Sequence, residues 1–161
     1  MNLPDDFKTF YESFPTHQAC RQIEADQVVA LVQSGKRVVF VDARSRDEQA
    51  VSVVPGAVCV SLEKDAFEVT QEDCARALAH EAIREDLEVL GAEHVVVCYC
   101  TAGLRGALCA MALENVSSAQ VFNLAGGIIA WRNQGLPLER AGRPVRDVHP
   151  CVPSLAKYLS A

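Results

Sequence analysis

Short apolar runs alternate with amphipathic stretches along most of this chain, and the periods of the two predict its elements. Phe7, Phe10, Tyr11 and Phe14 share one face at helical spacing after a Pro-Asp-Asp start, so residues 5 to 14 are predicted as a helix docked on its own domain. A brief strand follows near Ile23, then a helix over residues 26 to 34 closed by Gly35, then the strand Val38-Val39-Phe40-Val41. After the Pro55-Gly56 turn a short strand is predicted at Val58-Cys59-Val60, and Thr70 with Asp73 is placed to cap a long helix running to Leu90. Val95-Val96-Val97-Cys98-Tyr99 is a continuous apolar run, the pattern of a central strand buried on both faces, and a helix over residues 104 to 114 follows it directly. The last strand is predicted at Val121-Phe122-Asn123-Leu124, and Gly126-Gly127 turns the chain into a helix carrying Ile128, Ile129 and Trp131 that ends at Gly135 and Pro137. Residues 139 to 153, rich in Arg, Pro and Gly, read as an irregular tail, with a helical turn or two at 154 to 160.

Strands alternating with helices imply an α/β fold with parallel strands. The chain divides into an N-terminal helical extension over residues 1 to 19, one domain over 20 to 140, and a tail over 141 to 161. At 161 residues, half of them apolar, it has enough material for one sizeable core. A net charge of −6 with no cluster of Lys or Arg argues against nucleic acid as a partner. The Asn-Leu-Pro-Asp-Asp start lacks a basic, apolar signal pattern, and no stretch approaches membrane-spanning length, so a cytoplasmic protein with no membrane partner is expected. The seven cysteines are odd in number and several lie inside apolar runs, which fits free thiols in a reducing compartment better than a disulfide framework. Without a CxxC pair, and with four scattered histidines, neither a metal nor any other cofactor is expected.

The chemistry concentrates in Cys100-Thr101-Ala102-Gly103-Leu104-Arg105, between a buried strand and a helix. A tight loop entering a helix gathers N–H groups around an anion, and the helix N-terminus adds partial positive charge. A cysteine at the first loop position would have its thiolate stabilised and become a nucleophile. Gly103 allows the backbone a tight cradle, and Arg105 can turn a fork of donors toward an anion.

In this context the chain resembles the rhodanese-like domain family over roughly residues 20 to 140. The resemblance rests on Val38-Val39-Phe40-Val41-Asp42 followed by Ala43-Arg44 and the acidic segment Ser45-Arg46-Asp47-Glu48, on Pro55-Gly56-Ala57, on the loop from Cys100 to Arg105, and on Asn123-Leu124, Gly126-Gly127 and Trp131. It implies a five-stranded parallel sheet flanked by helices on both faces. It also implies a single-domain sulfurtransferase of the thiosulfate:cyanide type, with Cys100 as persulfide carrier and Thr101, Ala102, Gly103, Leu104 and Arg105 as substrate-binding residues. The partners implied are a small sulfur donor and acceptor or a persulfide-bearing protein. Ser52-Val53-Val54 stands where the family often has Gly-His-Ile, and Thr101 where it often has a basic residue.

Two alternatives belong to other classes. Phosphatases of related fold place five residues between Cys and Arg, whereas this loop has four. Non-catalytic binding modules typically lose the cysteine, which is retained here. A homodimer contact through the aromatic stripe stays open. Asp42 and Arg44 are expected either to orient the active loop or to form a structural salt bridge; Cys98, Cys109 and Cys59 are expected to be packing residues. Cys151, in His149-Pro150-Cys151-Val152-Pro153, is the best candidate for an accessible second thiol, because the tail has little to bury it; receipt of sulfur from Cys100 and a disulfide with it are the functional alternatives, and a thiol with no catalytic role is the expectation.

Overall fold

The computed structural model describes residues 6–160, so Pro4 and Asp5 of the predicted helix start lie outside the described residues. Five parallel strands form the main sheet: β1 (Gln22–Ile23), β2 (Arg37–Asp42), β3 (Val58–Cys59), β4 (His94–Tyr99) and β5 (Gln120–Leu124), in the order β1-β5-β4-β2-β3. β4 lies at the centre because Val95, Val96, Val97, Cys98 and Tyr99 are all buried, leaving nothing polar on either face. Its alternation divides the core in two.

Val96 and Cys98 point into a cluster completed by α4 (Gln71–Leu78), α5 (Glu81–Glu88) and α6 (Leu104–Glu114). Val95, Val97 and Tyr99 point to the other side, against α2 (Ala25–Gln33) and α7 (Gly127–Asn133), where Val28, Ile128 and Trp131 pack. At roughly 1.5–3 kcal/mol for each fully buried aliphatic side chain, the three valines of this strand contribute to both halves of the core. The parallel register sets Asp42 of β2 beside Tyr99 of β4, so both carboxyl ends reach the same edge, and the chain leaves β4 directly into Cys100.

Three expectations are corrected. The long helix predicted from Thr70 to Leu90 is two helices, with a break at Ala79 and His80. Leu78 and Ile83 are five apart, a spacing that one straight helix cannot hold on a single face; the break re-phases the stripe so that Cys74 and Leu78, then Ile83 and Leu87, all meet the core. The tail predicted as irregular contains an antiparallel hairpin, β6 (Leu138–Arg140) and β7 (Arg143–Val145), turned by Ala141 and Gly142, both at positive φ as a two-residue hairpin turn requires. Cys59 is exposed on the edge strand β3 instead of packed inside.

The aromatic stripe follows the expected assignment. α1 (Phe7–Glu12) docks on its own domain, where Phe7 and Phe10 meet Tyr158 with ring centroids 4.7 and 5.5 Å apart. The tail also returns to the body: Ser52 donates to the Asp147 carbonyl, and a 3-10 turn at Pro153–Tyr158 buries Leu155 and Tyr158 against Phe10, Ala102 and Ile129. No helix among the described residues is long and apolar enough to cross a membrane.

Candidate active site

The loop between β4 and α6 is held from behind by its carbonyl groups. At the start of α7 the Ile128 and Ile129 N–H groups donate to the carbonyls of Cys100 and Thr101 at 2.8 and 3.3 Å, and the Asn123 side-chain amide donates to the Gly103 carbonyl at 3.2 Å. This is what the Asn-Leu and Gly-Gly positions accomplish. A Cβ on Gly127 would stand 2.5 Å from both the Cys100 and Thr101 oxygens, so only glycine lets α7 approach closely enough to make these bonds.

With its carbonyls turned away, the loop can present N–H groups on the other side. Gly103, at φ 118° as the residue before α6, donates its N–H to the Cys100 sulfur at 3.1 Å. Cys100 is 2% exposed and forms the floor of a depression of about 20 Å³, whose lining also includes Thr101, Ala102, Leu104 and Arg105. Phe10 and Phe14 from the N-terminal segment, Phe67 from the segment before α4, and Cys151 and Leu155 from the tail complete its wall.

Arg105 is buried, and its fork is engaged by a residue not picked out from the sequence as part of the site. The two guanidinium nitrogens donate to the Glu48 carboxylate at 2.7 and 2.8 Å, and Thr101 links the two by donating to Glu48 at 2.8 Å while accepting from Arg105 at 3.0 Å. Burial by itself would raise the Glu48 carboxyl, but the Arg105 hydrogen bonds and charge outweigh it and hold the group well below the usual carboxylate range. Burial likewise works against the Arg105 charge, and Glu48 with the neighbouring Cys100 sulfur restores it. Glu48 is fixed in turn by Ser45, whose N–H and hydroxyl both donate to it as one half of the capping box that starts α3 (Arg46–Val51). A Ser-x-x-Glu pattern was the signal available in the sequence, and it marks a helix start without revealing what else the carboxylate holds.

Asp42 and Arg44 form a fully buried salt bridge at 2.7 Å, with Tyr99 donating to Asp42 at 2.6 Å and Arg44 donating to the Ser52 carbonyl. Between the two roles considered for this pair, the contacts are those of a clamp on the segment from residue 43 to 54. Cys98 and Cys109 pack together in the core. No group of three or more His, Cys, Asp or Glu among the described residues could hold a metal ion.

Comparison with known proteins turns on these same segments. The profile of the Rhodanese-like domain family matches residues 24–134, more than half of the chain. The chain belongs to the rhodanese-like family. No match was found among curated proteins. Solved structures similar to this rhodanese-like chain include a rhodanese-like domain protein from Staphylococcus aureus, at 22% identity and TM-score 0.53, covering 76% of this chain and 99% of that one. A thiosulfate sulfurtransferase from Pseudomonas aeruginosa is similar at 21% identity and TM-score 0.54 over 98% of this chain, which corresponds to 27% of that protein. A protein from Rhodopseudomonas palustris described as a possible tyrosine phosphatase has 22% identity and TM-score 0.55, covering 83% of this chain and 94% of that one. At these identities the likeness is one of fold. The five-stranded parallel α/β sheet is the family's.

Proposed function

We propose that this rhodanese-like chain is a sulfurtransferase that moves a sulfane sulfur from thiosulfate or a persulfide donor to a thiophilic acceptor through a persulfide on Cys100. The observation that carries the reading is the Gly103 N–H aimed at the Cys100 sulfur on the floor of an atom-sized depression at the start of α6. In the first step the Cys100 thiolate bonds to the outer sulfur of the donor, the donor's S–S bond breaks, and the leaving group departs with the electron pair, as sulfite from thiosulfate or as a thiolate from an alkyl persulfide. The acceptor then attacks the outer sulfur of the Cys100 persulfide and regenerates the thiolate. The loop N–H and the helix N-terminus favour negative charge on the sulfur throughout.

Charge supports a donor preference within this reading. Glu48 neutralises Arg105 beside the nucleophile, and Thr101 adds only a hydroxyl already bonded to Glu48, so a dianion such as thiosulfate gains little attraction here. The walls supplied by Phe10, Phe14, Phe67 and Leu155 suit a less charged, persulfide-bearing molecule. The same carboxylate weighs against a phosphatase, since a phosphate would have to compete with Glu48 for the fork. The test is intact-mass measurement after exposure to thiosulfate or to a thiol persulfide. The parent protein should gain one sulfur, more readily from the persulfide, and Cys100→Ser should gain none; equal uptake by Cys100→Ser removes Cys100 as the carrier.

A further inference from the structure

The tail does not leave Cys151 in solvent. It is half-buried and lines the same depression of about 20 Å³ as Cys100. It also lines a second, more polar cleft of about 260 Å³, together with Ser45, Asp47, Lys64 and His149. Cys100 belongs only to the first of these spaces, and Cys151 stands on the wall they share. The backbone holds it there in an unusual state: φ is 70°, a region that residues with a Cβ rarely adopt, and its N–H donates to the His149 ring at 2.9 Å.

Size makes the arrangement informative. A space needs roughly 10–15 Å³ to take one water-sized particle, so the depression over Cys100 holds about one such atom. A persulfide places its outer sulfur about 2 Å beyond the cysteine sulfur, a length that the small depression lined by both Cys100 and Cys151 can take up. The larger cleft has room for a bulkier acceptor, and its lining includes Cys151 but not Cys100.

Resting on the reading of Cys100 as a sulfur carrier, we propose that Cys151 is a second sulfur carrier that takes the sulfane sulfur from Cys100 and presents it to an acceptor thiol in the adjoining polar cleft. The Cys151 sulfur bonds to the outer sulfur of the Cys100 persulfide, and the bond between that atom and the Cys100 sulfur breaks with its electron pair remaining on Cys100. The proton released by the Cys151 thiol becomes available to the Cys100 thiolate. The products are a Cys100 thiol and a Cys151 persulfide, with nothing oxidised or reduced overall. Burial pushes the Cys151 thiol up to about 11, with Arg105 opposing the rise and Glu48 adding to it, so the thiol is protonated at neutral pH and gives up its proton as its sulfur attacks.

The test uses thiosulfate labelled in its sulfane sulfur, persulfide trapping with an alkylating agent, and peptide mapping, with glutathione as the acceptor. In the parent protein the label should appear first on the Cys100 peptide and then on the Cys151 peptide. Cys151→Ser should confine the label to Cys100 and slow its delivery to glutathione. Cys151→Gly, whose backbone accepts the positive φ without strain, should do the same and so separates lost chemistry from disturbed folding. Label that never reaches Cys151, delivery at the parent rate in both Cys151 variants, or label on Cys151 in Cys100→Ser would each overturn the relay. A parent protein that takes up no label on Cys100 from this donor or from a labelled thiol persulfide would instead overturn the carrier reading on which the relay rests.

Discussion

Replacing Glu48 by Gln tests the polar frame of the site most directly. The Glu48 side chain is 4% exposed and accepts from Arg105 at 2.7 and 2.8 Å, from Thr101 at 2.8 Å, and from the Ser45 N–H and hydroxyl at 3.0 and 2.9 Å. In the variant one oxygen becomes an NH2 group that faces an Arg105 nitrogen in either orientation, with Thr101 beside it in one and Ser45 in the other, donor against donor, while the Arg105 charge stays buried without its counter-charge. Breaking a buried pair from one side costs about 3–5 kcal/mol, a large part of the roughly 5–15 kcal/mol that keeps a domain folded. For a chain of this size each kcal/mol moves the melting temperature by roughly 2–4 °C, so the expected drop is roughly 6–20 °C. The pH dependence gives the sign. Because the folded state holds the Glu48 carboxyl below its unfolded value of about 4.3, the pair's contribution is complete above that pH and is lost as pH falls below it. Urea unfolding of parent and Glu48→Gln between about pH 7 and 3 should therefore show a stability gap that is widest near neutrality and narrows as pH falls below about 4. No gap at neutral pH, or one that stays constant down to about pH 3, would refute the assignment of this pair as a net stabilising, ionised contact. Sulfur loading adds a second readout: with its fork less engaged, Arg105 should improve the use of thiosulfate relative to a thiol persulfide.

Gly127→Ala should lose both stability and sulfur loading, since its Cβ would meet two loop carbonyl oxygens at 2.5 Å and its φ is 58°; melting temperature and loading stoichiometry measured together check this. Tyr99→Phe removes the hydroxyl that donates to Asp42 and accepts from the Val54 N–H, and should cost about 1–3 kcal/mol in urea unfolding. Alkylation of Cys151 by iodoacetamide, followed by peptide mapping in Cys100→Ser, should quicken roughly tenfold per pH unit through the alkaline range and level only near its raised value of about 11. A plateau near the ordinary thiol value of about 8.5 would show that the tail does not bury it.

Features written in contiguous residues were legible before the structure. Val95 to Tyr99 read as a buried strand, and Cys100 to Gly103 as the loop leaving it for a helix that starts at Leu104, because both patterns are local. Gly126 and Gly127 marked a turn, although the fact that this turn binds the active loop from behind depends on β5 lying beside β4. Glu48 was hidden because it serves as a capping residue locally and as the Arg105 counter-ion only across a separation of 57 positions. The partial burial of Cys151 was hidden for the same kind of reason: a segment rich in Pro and Gly has no periodicity, yet Ser52, Asp147 and His149 fix it by single contacts that periodicity does not record. The break between α4 and α5 was readable in the five-residue step from Leu78 to Ile83, had the apolar phase been weighed above the continuity of helix-forming residues.

The walls around Cys100 have a consequence of a different kind. Cys100 and its N–H donor come from within the family match, whereas Phe10, Phe14, Cys151 and Leu155 come from segments near the two ends of the chain, outside residues 24–134 that match the family profile. Apart from Phe67 and its segment before α4, the apolar side chains lining the depression over Cys100 from outside its own loop thus come from different stretches of sequence. Substitutions in the outer segments can reshape the wall over Cys100 without touching the loop that carries it. A partner or tag attached near either end acts on the doorway to the site.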